Sequence, residues 1–328
     1  MPLISRTPNQ YTAPDGSKSG LIPATYANDI IQSATAQSLA LSRFRQVRMP
    51  TGVQHMPVLD ALPVAKWVTG EPNDTDGTGG EKAPTSQGWK GLVLTAEELA
   101  AIVVIPEAVI EDASIDLWTE ITPRLGEAIG GAVDAAVFAG VDAPSSWPND
   151  ITTAAIAAGN QKQLALAEVP TAEDYNDIIS MVESDGFFPT DIFAEIGQRG
   201  IFRGFGAPAY LQNIRDDGRV DSVYGVDVTY DRMGGLTAGT VDTRAIVGDP
   251  AMAILGVRTD IQYKMLEEAT LDISAAQDGS AMVSLAQQDS VALRVRARFG
   301  FAVANPTNKL NTVAANRYPF AVLENALV

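Results

Sequence analysis

Residues 289–303 read Asp-Ser-Val-Ala-Leu-Arg-Val-Arg-Ala-Arg-Phe-Gly-Phe-Ala-Val. Apolar side chains alternate with arginines, and a period of two predicts a β-strand with one buried face. The apolar face is formed by Leu293, Val295, Ala297, Phe299, Phe301 and Val303. The opposite face carries Arg294, Arg296 and Arg298. The stretch therefore predicts a sheet with a core on one side and a basic surface on the other.

The region before this strand predicts a small unit that mixes helices and strands. Thr171 and Asp174 have the spacing of a capping box, which opens a helix. A short strand is expected near residues 192–196, and several more between residues 223 and 286. Residues 306–328 are expected to form a polar tail with an apolar end.

Residues 114–139 predict the longest helix of the chain. Ser114 can cap it, and one stripe at helical spacing is formed by Leu117, Ile121, Leu125, Ile129, Ala132 and Ala136. The positions that weaken it are Pro123, Gly126, Gly130 and Gly131. A proline inside a helix costs about 3 kcal/mol and a glycine up to about 1. We therefore expect a helix that tertiary packing maintains and that bends near these four residues.

Two extended segments around a glycine-rich tip predict a long hairpin. Residues 47–68 and 89–105 are strand-like, and residues 69–88 contain five glycines and four acids. A lone two-stranded ribbon is marginal in water, so the hairpin needs a partner surface. Trp67 and Trp89 flank it, either as cross-strand core partners or as contacts to a neighbouring copy. The core role is favoured for at least one of them.

The composition excludes several classes of site. The 328 residues include no cysteine and one histidine, so disulfides, thiolate zinc sites and multi-histidine metal sites are excluded. His55 lies in an extended segment and is interpreted as an ordinary strand residue. Residues 74–81 are acidic but lack the spacing of a calcium loop, and neither a P-loop nor a dinucleotide fingerprint occurs. The sequence therefore predicts no catalytic, cofactor or metal residues, and no run of apolar residues long enough to span a membrane.

Charge is unevenly distributed along the chain. The net charge is −17, which argues against general DNA binding. Residues 1–50 carry five cations, Arg43 and Arg45 among them, against two acids, whereas residues 106–142 carry eight acids against one arginine. A basic arm beside an acidic body suits pairing between copies of one chain, although a solvated acidic surface explains most of these charges equally well.

Three stretches resemble one known family. They are Ala65-Lys-Trp-Val-Thr-Gly-Glu71, the run from Leu94 to Asp112, and Asp134-Ala-Ala-Val-Phe-Ala-Gly140. Their order, together with the arm, the hairpin, the long helix and the closing strand, resembles tailed-bacteriophage major capsid proteins over about residues 20 to 305. The fold that this resemblance implies is the α+β Hong Kong 97-type capsid fold, with an N-terminal arm, an extended β-hairpin loop, a long spine helix, and peripheral and axial domains.

The resemblance also implies boundaries for these parts. The arm would occupy residues 1–25 and the extended loop 56–95. The peripheral domain with the spine helix would comprise residues 26–55, 96–145 and a closing strand at 289–305, and the axial domain 146–288, before the tail at 306–328. A helix is expected at about residues 26–45.

The implied function is a shell. Subunits would assemble into hexamers and pentamers of an icosahedral head around double-stranded DNA, without sequence-specific contacts, after a procapsid that matures by expansion. Implied partners are a separate scaffolding protein, a portal and, optionally, a decoration protein, and the shell would assemble in the host cytoplasm. Assembly contacts are expected at Arg43, Arg45, Trp67, Trp89, Arg294, Arg296 and Arg298, where the three strand arginines would meet acids of a neighbour, packaged DNA or only solvent. An encapsulin-type compartment is the alternative with the same fold, and a soluble acidic hydrolase is the remote alternative.

Overall fold

A computed structural model describes residues 38–65, 85–113, 117–166, 168–205, 212–214, 220–272 and 282–326. The helices are α1 (Leu39–Arg43), α2 (Glu107–Asp112), α3 (Leu117–Ala139), α4 (Ile151–Ala158), α5 (Ala172–Ser184) and α6 (Gln198–Gly204). The first strands are β1 (Arg45–Arg48), β2 (Val53–Ala61), β3 (Gly88–Thr95), β4 (Glu97–Pro106), β5 (Gln161–Leu164), β6 (Asp191–Glu195), β7 (Gln212–Ile214) and β8 (Val220–Val223). The others are β9 (Val226–Asp231), β10 (Asp242–Gly248), β11 (Ala253–Leu266), β12 (Thr270–Asp272), β13 (Met282–Ser284), β14 (Ser290–Val303) and β15 (Phe320–Asn325). The predicted arm and Trp67 lie outside the described residues.

The strand predicted at residues 289–303 is confirmed as β14. It lies inside a four-stranded sheet of order β1-β11-β14-β4, antiparallel to β11 and β4. The odd-numbered side chains from Leu293 to Phe301 are buried and form one core with α3. That core contains Phe138 of α3 and Phe44, whose ring centroids lie 5.4 Å apart. The alternation in the sequence therefore reports a real difference between the two faces of this sheet.

A second sheet has seven strands in the order β5-β15-β10-β6-β9-β8-β7. β15 pairs with β10 on one side and with β5 on the other, and every residue of β15 is buried. The apolar end that was predicted for the tail at residues 306–328 is thus not part of a tail, because residues 320–325 form a buried strand of this sheet. A strand that is buried on both faces shows no alternation, and the polar stretch before it conceals the boundary.

The pairing of β11 differs from the division that the sequence suggested. Residues 253–266 fall inside the expected axial domain, 146–288, yet β11 pairs with β14 along eleven registered positions. Strand pairing thus groups β11 with the closing strand, while the domain boundaries themselves stay a prediction.

Three helices were expected near their observed positions. α3 is continuous through Pro123, and α5 begins at the predicted capping box of Thr171 and Asp174. The helix expected at residues 26–45 is described only from its end, where α1 stops at Arg43 and Phe44 becomes extended. It stops early because the Phe44 ring turns into the core, 6.0 Å from Phe193 and 6.5 Å from Phe301.

A buried arginine organises the segment between β14 and β15. Arg317 is 2% exposed and donates hydrogen bonds to Asn305 Oδ1 at 2.8 Å and to the Asn311 carbonyl at 2.6 Å. Asp185 accepts from Asn311 Nδ2 at 2.9 Å and from the Tyr318 N–H at 3.0 Å, which ties this segment to the end of α5. The segment also contacts the hairpin, since the Thr307 N–H donates a hydrogen bond to the Leu59 carbonyl at 2.9 Å.

We predict that Arg317→Met lowers the free energy of unfolding by about 2 to 4 kcal/mol, because buried acceptors of Asn305 and Asn311 lose their donor. Urea denaturation of the unassembled chain measures this. Arg244→Met is the control, since Arg244 pairs with Asp242 at 2.7 Å in a partly exposed position. It should cost no more than about 1 kcal/mol, and equal losses in the two variants would contradict the assignment.

Candidate assembly surfaces

The even-numbered side of β14 forms a surface that we call the basic face. Strand register places Arg294 between Lys264 and Ile102, Arg296 between Gln262 and Ala100, and Arg298 between Thr259 and Glu98. Directly opposed residues share one face of a sheet, so these nine residues lie together. The basic face is Glu98, Ala100, Ile102, Thr259, Gln262, Lys264, Arg294, Arg296 and Arg298.

The cations of the basic face are only partly neutralised. Arg298 Nε lies 3.2 Å from Glu98 Oε2, and Arg296 donates to Gln262 Oε1 at 3.2 and 3.3 Å. Among the described residues, Arg294 Nε is buried without a hydrogen-bond partner. Lys264, Arg294 and Arg296 line an open groove with Gln262 and Tyr263. Three cations and no carboxylate line this groove, so an anionic group would be stabilised there.

The chain's own hairpin covers the other half of this side of the sheet. β2 and β3 pair as the predicted antiparallel ribbon, and its inner side chain Leu94 packs with Met49, Ile254 and Ala302. A side chain at Gly300 would place its Cβ 2.9 Å from the Thr95 carbonyl, so glycine is needed where the ribbon crosses β14. Among the described residues, this side of the sheet is thus covered near Ala302 and open from Arg294 to Arg298.

The outer side of the ribbon is apolar and exposed. Trp89 is 63% exposed, Val53 47% and Val93 45%, and the register places Trp89 opposite Leu59 and Val93 opposite His55. His55 is confirmed as a strand residue of β2, where its side chain is exposed. The core role that we favoured for at least one of the two tryptophans is not found for Trp89, which is 63% exposed among the described residues.

The two arginines expected near the arm have different surroundings. Arg43 Nη1 lies 3.4 Å from Asp191 Oδ1, so it is paired within the chain. Burial raises the pKa of Asp191, and the nearby Arg43 charge opposes that shift. Arg45 is exposed on β1, the edge strand of the four-stranded sheet. Arg45 is therefore the one of the pair that remains available to another molecule.

The glycines of α3 lie where other parts of the chain approach it closely. A Cβ at Gly130 would be 3.1 Å from Ser38 Cβ, and one at Gly126 would be 3.3 Å from Tyr263 Oη. At Gly131 the nearest atoms belong to Met233, at 3.9 Å. Gly126 and Gly130 therefore have a packing role in addition to their effect on helix stiffness.

Sequence reasoning identified the arginines but missed their surroundings. Lys264 and Ile102 complete the basic face only through the register of β11 and β4, which no local pattern encodes. The exposed apolar side of the ribbon, with Val53 and Val93, could have been predicted, because apolar residues occur on both sides of β2 and β3. A ribbon that is apolar on both sides needs a cover on each.

The chain was compared with known proteins. Residues 19–186 match the model of the phage capsid family. No curated protein gives a significant sequence match. Within the described residues, no helix is long and apolar enough to cross a membrane.

Solved structures match over nearly the whole chain. A structure from Microbacterium phage Oxtober96 is 34% identical with a TM-score of 0.77, covering 93% of this chain and 97% of the other. One from Mycobacterium phage Adephagia is 30% identical with a TM-score of 0.76, covering 94% and 96%. A structure described as the capsid of a native GTA particle computed with C5 symmetry is 14% identical with a TM-score of 0.57, covering 94% and 96%, and shares the fold only.

We predict that Gly131→Ala raises the free energy of unfolding and that Gly130→Ala raises it less or lowers it. Alanine gains up to about 1 kcal/mol over glycine in a helix, and Gly131 has room for the methyl group. At Gly130 the methyl group would crowd Ser38, so that gain should be lost or reversed. Urea midpoints of the two single variants decide it, and equal stabilisation by both would show that Gly130 does not need its small size.

Proposed function

Because the chain belongs to the phage capsid family, we propose that it assembles into hexamers and pentamers of an icosahedral shell around double-stranded DNA. It has the α+β Hong Kong 97-type fold and is a structural protein of the virion. The observation that carries the proposal is the half-covered sheet. A surface with four cations and an exposed apolar ribbon with Trp89 at its end are both unpartnered within the described chain.

The acidic segment that joins the two strands of the ribbon is opposite in charge to the basic face. Residues 69–88, which follow β2 and lead into β3, contain Glu71, Asp74, Asp76 and Glu81 against Lys82. The described ribbon supplies the apolar part of the contact through Trp89 and Val93. We infer that this acidic segment of one copy lies on the basic face of the next, with Trp67 and Trp89 as apolar anchors.

The direction of the ribbon favours a contact between copies. β4 runs antiparallel to β14 and begins with Glu97 opposite Phe299. Followed backwards from Thr95 to Gly88, β3 leads from that point toward Asn305 and away from Arg294. Eight residues of β3 at ~3.4 Å each carry the ribbon on by about 27 Å. The described end of the ribbon, where Ala61 pairs with Gly88, therefore lies away from the arginines of its own chain. A contact that joins unlike surfaces of two copies is head-to-tail, and repeated rotation closes it into a ring.

The remaining parts of the proposal follow from the family. Arg43 and Arg45 are proposed to act near the arm in contacts between copies, with Arg45 the exposed member. Bending of α3 at Pro123, Gly126, Gly130 and Gly131 is proposed to accompany expansion of a procapsid. A scaffolding protein, a portal and a decoration protein are proposed partners, and assembly is proposed to occur in the host cytoplasm. Nuclease-protected DNA in purified particles, rather than a protein cargo, would distinguish this shell from an encapsulin-type compartment.

We predict that the double variant Arg294→Glu, Arg296→Glu stops assembly, because it places like charges against the acidic segment. Sedimentation velocity should show free subunits or capsomers where the unaltered chain forms particles. Arg203→Glu, an exposed reversal on α6, is the matched control and should still assemble. Changing Glu71, Asp74, Asp76 and Glu81 to lysine in the same chain makes every contact complementary again and should restore assembly. Normal assembly of the double variant alone would refute the contact.

We predict that Trp89→Ala separates assembly from folding. Its side chain is largely exposed, so the free energy of unfolding of the free subunit should change by less than about 0.5 kcal/mol. A buried aromatic anchor in an interface is worth about 2 kcal/mol or more, so the critical concentration for assembly should rise at least about 30-fold. Phe188→Ala is the control, since Phe188 is exposed elsewhere. Light scattering against concentration measures both, and an unchanged threshold for Trp89→Ala would remove it from the interface.

A further inference from the structure

Asp134 is a fully buried carboxylate that connects two helices. It belongs to α3 and is 0% exposed. It accepts hydrogen bonds from Ser38 Oγ at 2.6 Å, the Leu39 N–H at 2.8 Å and the Ala40 N–H at 2.9 Å. Ser38 Oγ in turn accepts from the Leu41 N–H at 3.1 Å. The first turn of α1 is thus held by one side chain that lies 94 to 96 residues further along the chain.

Two glycines close the surroundings of this carboxylate. A Cβ at Gly235 would lie 2.7 Å from Asp134 Cβ, and one at Gly130 would lie 3.1 Å from Ser38 Cβ. Both positions therefore allow backbone to approach more closely than any side chain would permit. Asp134 is thus enclosed on both sides, and its carboxylate contacts three hydrogen-bond donors and no solvent.

No cation neutralises Asp134 within the part of the chain that the structure describes. Arg43, at the other end of α1, is paired with Asp191, and Arg232 in the loop before Gly235 is exposed. The other ionisable group facing it is Asp231, whose carboxylate accepts from the Met233, Gly234 and Leu236 N–H groups. A buried negative charge with a second carboxylate nearby is unfavourable, and its three hydrogen bonds offset this only in part.

We propose that Asp134 is a clasp that holds the start of α1 against α3, and that uptake of one proton by this carboxyl tightens the clasp. A neutral carboxyl still accepts from the Leu39 and Ala40 N–H groups, and the Ser38 hydroxyl can turn to accept its proton. When the carboxyl is ionised, opening the clasp restores its hydration. The closed and open states therefore differ in their affinity for one proton.

The sign of the pH dependence follows from this difference. Burial raises the pKa of Asp134 from 3.8 to about 6 in the closed state, with the hydrogen bonds of Ser38, Ala40 and Leu39 opposing the shift. The stabilisation by the proton is complete below the ordinary pKa of an exposed aspartate and is lost as the pH rises through the closed-state pKa. The ratio of open to closed clasp should rise about tenfold between pH 5 and pH 7 and then level off.

This inference goes beyond the proposed shell, because it concerns the isolated subunit. Its consequence for a shell is that the start of α1 would be attached more firmly in acid than at neutral pH. The Arg43 to Asp191 pair at the far end of α1 is a second point of attachment.

A single spin label reports the clasp directly. The chain has no cysteine, so Ser42→Cys on the exposed side of α1 gives one labelling site. Electron paramagnetic resonance of the unassembled full chain should show the ratio of mobile to immobile label rising about tenfold from pH 5 to pH 7. Adding Asp134→Asn should remove this slope, whereas Asp191→Asn, which alters the other carboxyl that contacts α1, should leave it.

A second variant covers the case in which Asp134→Asn does not fold. Ser38→Ala keeps the carboxyl but removes a hydrogen bond that lowers its pKa, so the transition should move to higher pH. Three results would overturn the proposal. The label mobility could be independent of pH, the pH dependence could persist in Asp134→Asn, or it could disappear in Asp191→Asn instead. None of these readings depends on whether particles form.

Discussion

The two sides of the four-stranded sheet are covered differently, and the architecture depends on that difference. The odd-numbered side of β14 packs against α3 and the ring of Phe44, and it is closed within one chain. Among the described residues, the even-numbered side is covered where the hairpin crosses it at Gly300 and is otherwise open. Burial of apolar surface stabilises the first side at about 25 cal/mol per Å², whereas the bare half of the second side retains exposed cations and Ile102. Within the part of the chain that the structure describes, folding therefore leaves one surface uncovered.

The hairpin shows how one element can serve both folding and association. Its inner side chains, such as Leu94, are core residues of the chain that carries them. Its outer side chains, such as Trp89 and Val93, have no such role, because nothing in the described chain covers them. Arg317 links the two functions, since the segment that it organises holds the ribbon through Thr307 and Leu59. A buried cation outside the sheet thus contributes to the attachment of the ribbon.

The sequence was informative where a local pattern repeats. β14 could be predicted because six apolar positions alternate with three arginines, and α5 because Thr171 and Asp174 satisfy each other at its first turn. β15 could not be predicted, since a strand with both faces buried has no periodic signal and follows a polar stretch. The resemblance to a family supplied the fold as a whole, which composition and periodicity did not.

Contacts between distant parts of the chain lay beyond sequence reasoning. Lys264 meets Arg294 only through the register of β11, and the bulges in β11 between Val257 and Gln262 shift that register in a way that no residue type announces. Asp134 was counted among the acids of an amphipathic helix, although an acid on a helix is usually solvated. Its burial depends on Gly130 and Gly235, whose missing side chains admit Ser38 and the loop after Asp231.

The central claim is that the basic face of one subunit is covered by the acidic segment of another. Electron microscopy of assembled particles at side-chain resolution tests it most directly. The account predicts carboxylates of residues 71–81 from an adjacent copy within about 4 Å of Arg294 and Arg296, the distance at which such charges pair. Particles in which this segment turns back onto its own chain, with the arginines facing solvent or DNA, would contradict it.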